Sequence, residues 1–356
     1  LTYNGLGPSQ ESDPRSVVGF RSEWKELTYP LVIDWAKGAR IRDIDGHEYV
    51  DVVGAFGVNF LGHSPEFVTE AVRRQLDAGI AIGPQVELAG QVATLVSELT
   101  GMERVTFCNT GSEAVLAALR IARTVTGNDR IASFSTHYHG IFDEVLVKAV
   151  DVGGERRSFP IAPGIPQRAV ETGLILDYGD PAALESIRQH AHELACVILE
   201  PVRSRSPSVQ PFEFLRQLRE LTRELDIPLI FDEMITGFRS HLGGAQALLD
   251  IRADIATYGK IVGGGYPIGV VAGSAKYMDA LDGGHWEFGD DSVPEADMTW
   301  FAGTFVRHPI ALAAAHASLT YLKQQGPGLQ EALNAKNARW VGDMNEWFEA
   351  NGMSIR

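Results

Sequence analysis

Asp232 and Lys260 are the residues of this chain whose types and spacing point most directly to chemistry. An apolar, β-rich run, Pro228-Leu229-Ile230-Phe231, ends on the carboxylates Asp232 and Glu233, which is how a buried strand delivers an acid to the carboxyl edge of a parallel sheet. Twenty-eight positions after Asp232, a second β-like run, Ile255-Ala256-Thr257-Tyr258, leads through Gly259 into Lys260, and Gly263, Gly264 and Gly265 follow. A lysine amine held among backbone can form a Schiff base with an aldehyde, and a carboxylate can partner a protonated ring nitrogen. Pyridoxal 5'-phosphate is the cofactor that needs both. In that chemistry the Asp232 anion makes the ring an electron sink, and Lys260, displaced by a substrate amine, is free to move the substrate's proton.

Three further stretches end β-like runs in the same way. Asn109-Thr110-Gly111-Ser112-Glu113-Ala114 follows VTFC and opens the helical run AVLAALRIAR. Backbone N–H groups at a helix start, the close approach allowed by Gly111 and the hydroxyl of Ser112 suit a phosphate, although Thr-Gly-Ser-Glu is equally a capping sequence. Tyr138-His139-Gly140 follows IASFST and offers Tyr138 as an aromatic that can stack on a planar ring, with His139 beside it as a further cofactor-binding candidate. Glu200, before Pro201, ends CVILE and aims a further carboxylate at the same rim, or else serves an ordinary strand-terminal turn.

The elements that position these residues alternate. The runs VTFCN, IASFST, ACVILEPV, PLIFDEM, IATYG and IGVVAG are separated by helical patterns at 113–125, 181–194 and 212–225, which predicts a doubly wound α/β domain with a mainly parallel sheet. Before it, residues 31–53 alternate around Asp45-Gly46 and predict a hairpin. Ser64 is a candidate N-cap for a helix running to Leu76 and closed by Gly79, and another helix spans 87–99. Residues 279–301 lack periodicity and read as a long functional loop, and helices follow at 309–323 and 329–348. We divide the chain into a linker-like start (1–15), the N-terminal part of a small domain (16–60), a large domain (61–310), and a connecting helix with the start of a C-terminal small domain (311–356), which looks truncated.

A length of 356 residues with 45% hydrophobic content allows a sizeable core, and a net charge of -15 argues against a nucleic-acid partner. Unbroken apolar stretches stay under ten residues, so no membrane span is expected. Cys108 and Cys196 each lie in an apolar run and read as buried, reduced thiols of a cytoplasmic protein, without a disulfide framework or a metal cluster.

In this order the stretches NTGSEA, YHG, FDEMITGFR, GGAQ, YGKIVGGG and AGTF resemble the class III aminotransferases of the fold-type I pyridoxal phosphate enzymes, over roughly residues 20–350. Within them the chain resembles the glutamate-1-semialdehyde aminomutase branch. TGMERVTFCNTGSEAV, APGIPQ and DDSVPEADMTWFAGTFVRHP are more similar to the aminotransferase domains of hybrid polyketide/non-ribosomal peptide synthetases of the iturin and microcystin types. The resemblance implies that Gly111 and Ser112 hold the phosphate, Tyr138 stacks on the ring, Met234 packs on its other face, Asp232 meets the pyridine nitrogen and Lys260 is the Schiff-base lysine. It implies a homodimer with shared sites, in which Thr304 reaches the neighbouring subunit's phosphate. The substrates it implies are an amino-acid donor and a β-ketoacyl chain on an acyl carrier protein. Arg21, nine positions before Pro30, stands where aminomutases carry an arginine for the substrate carboxylate. Two departures stand out. Val202-Arg203-Ser204-Arg205 replaces the run that brings an asparagine to the cofactor's phenolic oxygen, and residues 151–166 differ from the aminomutase gating loop. The other readings are a stand-alone aminomutase and a catalytically degenerate docking domain.

Overall fold

The computed structural model describes residues 21–24 and 31–354. Among these, Ile33–Lys37 (β1), Arg40–Asp43 (β2) and Glu48–Val50 (β3) form a three-stranded antiparallel sheet. Its β2–β3 turn contains Asp45-Gly46, with Gly46 at a φ of 88°. Asp43, Asp45 and His47 bring ligand-type atoms within 4.8 Å of one another here, a grouping the sequence reading did not see. The Asp43 carboxylate is already committed to the turn. It accepts from the backbone N–H of Asp45 and of His47 and from the Tyr49 hydroxyl.

The large sheet has seven strands: Arg104–Cys108 (β4), Arg130–Phe134 (β5), Gly173–Leu176 (β8), Leu194–Leu199 (β9), Leu229–Asp232 (β10), Ile255–Tyr258 (β11) and Gly269–Gly273 (β12). Their spatial order is β4-β12-β11-β10-β9-β5-β8, with β12 antiparallel to both neighbours and the other pairs parallel. Val147–Val152 (β6) and Glu155–Pro160 (β7) form a separate hairpin that the sequence pattern did not indicate, because neither strand is regularly apolar.

Both faces of the sheet are covered, and the period of two in each strand decides what faces where. Val197, Leu199, Leu229, Phe231, Ala256 and Tyr258 belong to one core, whereas Cys196, Ile198, Ile230 and Ile255 join the helix Gly111–Thr126 in the other. Asp232 is two residues beyond Ile230, so alternation places it on the side of that helix. Phe231 is fully buried on the opposite side, and its truncation to Ala would cost about 3–5 kcal/mol. The start of β10 is tied down by Asp254, which accepts from Leu229 N–H at 2.8 Å and from a two-pronged Arg219 at 2.6 and 2.9 Å.

We label the longer helices Glu66–Ala78 (α1), Glu87–Thr100 (α2), Gly111–Thr126 (α3), Pro181–Gln189 (α4), Phe212–Glu224 (α5), Pro309–Gln325 (α6) and Gly328–Ala350 (α7). Helix α6 packs on α1 and α2, with Phe67 and Tyr321 stacked at 4.4 Å. Ser64 does not cap α1. The N-cap is Pro65, and Ser64 adopts a φ of 48° instead. The pattern at 181–194 breaks at His190, and only a short 3-10 turn precedes β9. Residues 279–281 form another 3-10 turn, and 282–308 carry no regular structure.

Candidate active site

A cavity of about 200 Å³ lies at the carboxyl ends of β9 and β10, against the start of α3. Gly111, Ser112, Tyr138, His139, Glu200, Asp232, Met234 and Lys260 all line it, so eight of the ten residues singled out in the sequence meet in one place. Val115, Gly140 and Ile235 complete the lining. A larger hollow of about 460 Å³ beside Arg104, Asp279 and Asp282 is bordered by charges that pair with each other and holds no nucleophile.

Asp232 is buried, and its oxygens are held on two sides. Oδ2 meets Nδ1 of His139 at 2.8 Å, while Oδ1 accepts from the Met234 N–H at 3.1 Å and the Thr257 hydroxyl at 3.3 Å. Thr257 is there because β10 and β11 run in parallel with Asp232 in register with it. The sequence showed both strands but not their pairing, so this contact went unseen. His139, counted with Tyr138 among the cofactor-binding candidates, has the Asp232 carboxylate as its own partner.

Lys260 follows β11 in a turn, with a φ of 21°. Burial pushes its amine below the usual lysine range. The carboxylates of Asp232 and Glu200 work against that shift, and the Arg239 guanidinium works with it. An amine that loses its proton more readily is a better nucleophile toward a carbonyl carbon.

Glu200 lines the cavity but is occupied by backbone: Oε2 accepts from Tyr138 N–H at 3.1 Å and Oε1 from Ser204 N–H at 3.2 Å. It therefore fixes the Tyr138 loop against the end of β9. The Tyr138 ring is 42% exposed at the mouth, and the Arg205 guanidinium stands 5.8 Å from its centroid.

Helix α3 opens with a capping box in which Thr110 Oγ1 accepts from Glu113 N–H and the Glu113 carboxylate accepts from Thr110 N–H and Asn109 N–H. That box uses residues on either side of Gly111 and Ser112, whose own N–H groups belong to the helix turn that lacks intrahelical acceptors. The Ser112 hydroxyl accepts from Ile141 N–H at 3.2 Å. Space is tight on purpose here. A Cβ on Gly111 would lie 2.7 Å from the Met234 sulfur, and one on Gly140 would lie 2.6 Å from the Ser112 hydroxyl.

Two sequence candidates lie elsewhere. Thr304 is exposed in the irregular stretch before α6 and is not part of this cavity. Arg21 is exposed, with its guanidinium 4.6 Å from the Trp24 ring centroid, and likewise does not line it.

Residues 22–350 match the family model described as Aminotransferase class-III. The chain is a class III aminotransferase. It is 38% identical over 323 residues to the glutamate-1-semialdehyde 2,1-aminomutase of Archaeoglobus fulgidus, covering 90% of this chain and 73% of that protein. A solved structure described as a transaminase with PLP bound superposes with a TM-score of 0.83 at 28% identity, covering 96% of this chain and 76% of the other. A β-phenylalanine aminotransferase from Variovorax paradoxus superposes with a TM-score of 0.71 at 29% identity, covering 88% of this chain and 66% of the other. The fold is that of the fold-type I pyridoxal phosphate transferases, with a mixed seven-stranded sheet at its centre.

Class III aminotransferases depend on pyridoxal phosphate, are typically dimeric and use an amino-acid donor. The cavity fits that cofactor by its donor set: an amine, a buried carboxylate and helix-start N–H groups lie around a space floored by glycines that admit no Cβ. Among the described residues no helix is long and apolar enough to cross a membrane. Cys108 and Cys196 are buried and free, as expected.

Proposed function

We propose that this chain is the aminotransferase unit of a polyketide/non-ribosomal peptide assembly line, moving an amino group from an amino acid to a β-ketoacyl thioester on an acyl carrier protein. The observation that carries the aminotransfer is the meeting of Lys260, Asp232 and the α3 start in one small cavity. Pyridoxal phosphate supplies an electron sink and a carrier for the amino group between two half-reactions. In this reading the N–H groups of Gly111 and Ser112 hold its phosphate, Tyr138 covers the ring, Met234 supports the other face, and Asp232 keeps the ring nitrogen protonated. With the cofactor bound, the Lys260 amine would be the group that takes up the donor's α-proton in the first half-reaction and moves a proton the opposite way in the second.

Three features support a β-keto thioester acceptor. The stretches DDSVPEADMTWFAGTFVRHP and APGIPQ carry the resemblance to assembly-line domains. A structural neighbour acts, by its name, on a β-amino acid. The segment that would cover a trapped free semialdehyde is a hairpin tied down by Arg156, which forks onto Asp177 at 2.5 and 2.7 Å and reaches Ser135 at 3.0 Å. The aminomutase reading has identity to the aminomutases in its favour. Purified protein is expected to show the visible absorbance of bound cofactor, lost in Lys260→Ala. Incubated with an amino donor and β-ketoacyl carrier protein, it is expected to convert the acyl chain to its β-amino form by intact-protein mass. Inactivity on the carrier together with interconversion of glutamate 1-semialdehyde would establish the aminomutase reading instead.

A further inference from the structure

A partly buried guanidinium, that of Arg239, stands beside the candidate active site without a carboxylate partner among the described residues. Arg104, Arg123, Arg130 and Arg219 are also partly buried, and each of them pairs with a carboxylate. Burial pushes the Arg239 pKa below the ordinary arginine value with no neighbouring acid to offset the shift, yet a guanidinium keeps its proton in proteins. Holding such a cation unpaired is costly, so its surroundings are informative.

Backbone takes up two of its three nitrogens. Nε donates to the carbonyl of Ile235 at 2.7 Å, and Nη2 donates to the carbonyl of Gly57. Nη1 has no acceptor among the described residues and is not sealed from solvent. The Phe60 ring centroid lies 5.6 Å from Cζ. Ile235 lines the cavity, and the Arg239 charge is close enough to act on the Lys260 amine.

Both segments that hold the guanidinium carry backbone strain. Gly54, Ala55, Phe56 and Gly57 have φ values of 56°, 51°, 55° and 91°, and Phe238, just before Arg239, has a φ of 61°. Ala55, Phe56 and Phe238 are thus non-glycine residues in the left-handed region, a conformation that persists where a fold clamps a ligand. Asp51 ties the first turn down by accepting from the N–H groups of Val53 and Gly54, both at 2.9 Å. A Cβ on Gly57 would lie 2.9 Å from Nη2 and 3.4 Å from Cζ, so a side chain there would push the guanidinium away.

We propose that Arg239 receives the α-carboxylate of the amino donor through Nη1, which sets the donor's amine at Lys260 and makes the cavity selective for amino acids over simple amines. The proposal rests on the aminotransfer reading of Lys260. In that reading the cofactor's phosphate has the α3 start, and Glu200 and Asp232 are themselves acids. The anion still in need of a cation is the one the donor carries. In an α-amino acid that group is bonded to the same carbon as the amine, so a cation beside the Lys260 amine is placed to meet it. Arg21 stands outside the cavity against Trp24.

Aminooxyacetate and methoxyamine test this on the holoenzyme, because both carry the same reactive aminooxy group and only the first carries a carboxylate. Each discharges the visible absorbance of bound cofactor. The readout is the ratio of their second-order rate constants, divided by the same ratio for free pyridoxal phosphate, and it requires no turnover. In the unaltered protein this ratio is expected to favour aminooxyacetate by at least about tenfold. Arg239→Gln should slow aminooxyacetate by about 10- to 100-fold and leave methoxyamine within about threefold, whereas a merely structural role would slow both. Gly57→Ala keeps the cation but displaces it, should lower the same ratio, and serves if Arg239→Gln does not fold. An unaltered protein without preference for the carboxylate probe overturns the proposal, whether or not either variant folds. So does a preference kept in Arg239→Gln; its loss in Arg205→Gln would then assign the carboxylate to the mouth beside Tyr138. If no cofactor binds, or neither probe changes the absorbance, the aminotransfer reading itself fails and the proposal with it.

Discussion

Replacing Asp232 by Asn tests the electrostatic centre of the site with the least change of shape. The two oxygens of the carboxylate accept from three donors, His139 Nδ1, Met234 N–H and the Thr257 hydroxyl. An amide has one acceptor. If its oxygen stays toward Met234 and Thr257, its NH₂ faces the His139 Nδ1 proton, and His139 must move that proton to Nε2. Charge-assisted hydrogen bonds contribute about 1.5–3 kcal/mol against about 1 for neutral ones, so the fold should lose no more than about 2 kcal/mol. The functional loss is larger. A unit anion about 4 Å from a protonated ring nitrogen is worth about 4 kcal/mol at an effective dielectric of 20, which corresponds to about three decades in rate if it is spent in the rate-limiting step. The assay is single-turnover conversion of the cofactor by an amino donor, followed by absorbance, alongside thermal unfolding of the apo protein. We expect a retained chromophore, a small loss of stability and a rate reduced by 100- to 1,000-fold. Turnover within threefold of the unaltered enzyme would refute the role given to Asp232.

Lys260→Met should stabilise the apo protein near neutral pH. Burial lowers the folded-state pKa of Lys260, so the unfolded chain holds this proton over the range between the folded value and about 10.5, stability rises with pH across that range, and the gain from Met should shrink as the pH approaches its upper end; a gain independent of pH would contradict the shift. Thr304→Ala should weaken cofactor binding by about 10- to 100-fold in a dimer, the loss of one hydroxyl bond to a phosphate at about 1.5–3 kcal/mol. A monomer binding cofactor fully, with unchanged affinity in the variant, would remove the shared-site reading. Burial pushes the thiols of Cys108 and Cys196 up to about 12, so iodoacetamide at pH 7.5 should leave both unmodified in the native protein and alkylate both in urea, as read by mass spectrometry.

The strands that build the site were legible because each is a short apolar run ending in a turn signal, and four of the large sheet's seven strands, β5, β8, β9 and β10, pair only in parallel, as the alternation with helices implies. Strand β8 and the β6–β7 hairpin were not legible: GLIL is four residues long, and ERRSFP carries two arginines, of which Arg156 forks onto Asp177 across the fold and Arg157 pairs with Glu155 in its own strand. Ser64 looked like a cap because Ser-Pro-Glu commonly opens a helix, yet the chain enters α1 from the isolated bridge between Gly38 and His63, and Ser64 absorbs that turn at positive φ. The candidate residues that meet in the cavity lie at or just after the end of a run. Those missed, Thr257 and Ile235 among them, owe their places to register and to loop path, which a one-dimensional pattern does not carry.

The three carboxylates at the ends of β9 and β10 show how neighbouring acids acquire different work. Glu200, Asp232 and Glu233 are all buried, and by sequence any of them could have faced the cofactor. Glu233 points to the other side of the strand from Asp232, where it accepts from Ala245 N–H at 2.7 Å, Gln246 N–H at 3.1 Å and the Thr236 hydroxyl at 2.9 Å; its burial raises its pKa, and those donors partly offset the rise. Glu200 is similarly taken up by the N–H groups of Tyr138 and Ser204. Both acids are spent on holding loops. Asp232 differs in that one of its oxygens meets a side chain, His139, while the carboxylate remains on the cavity wall with Lys260. Alternation along β10 makes that division unavoidable: one of two successive acids must turn toward α3 and the other away, and the one turned toward the α3 start shares the cavity with Gly111, Ser112 and Lys260.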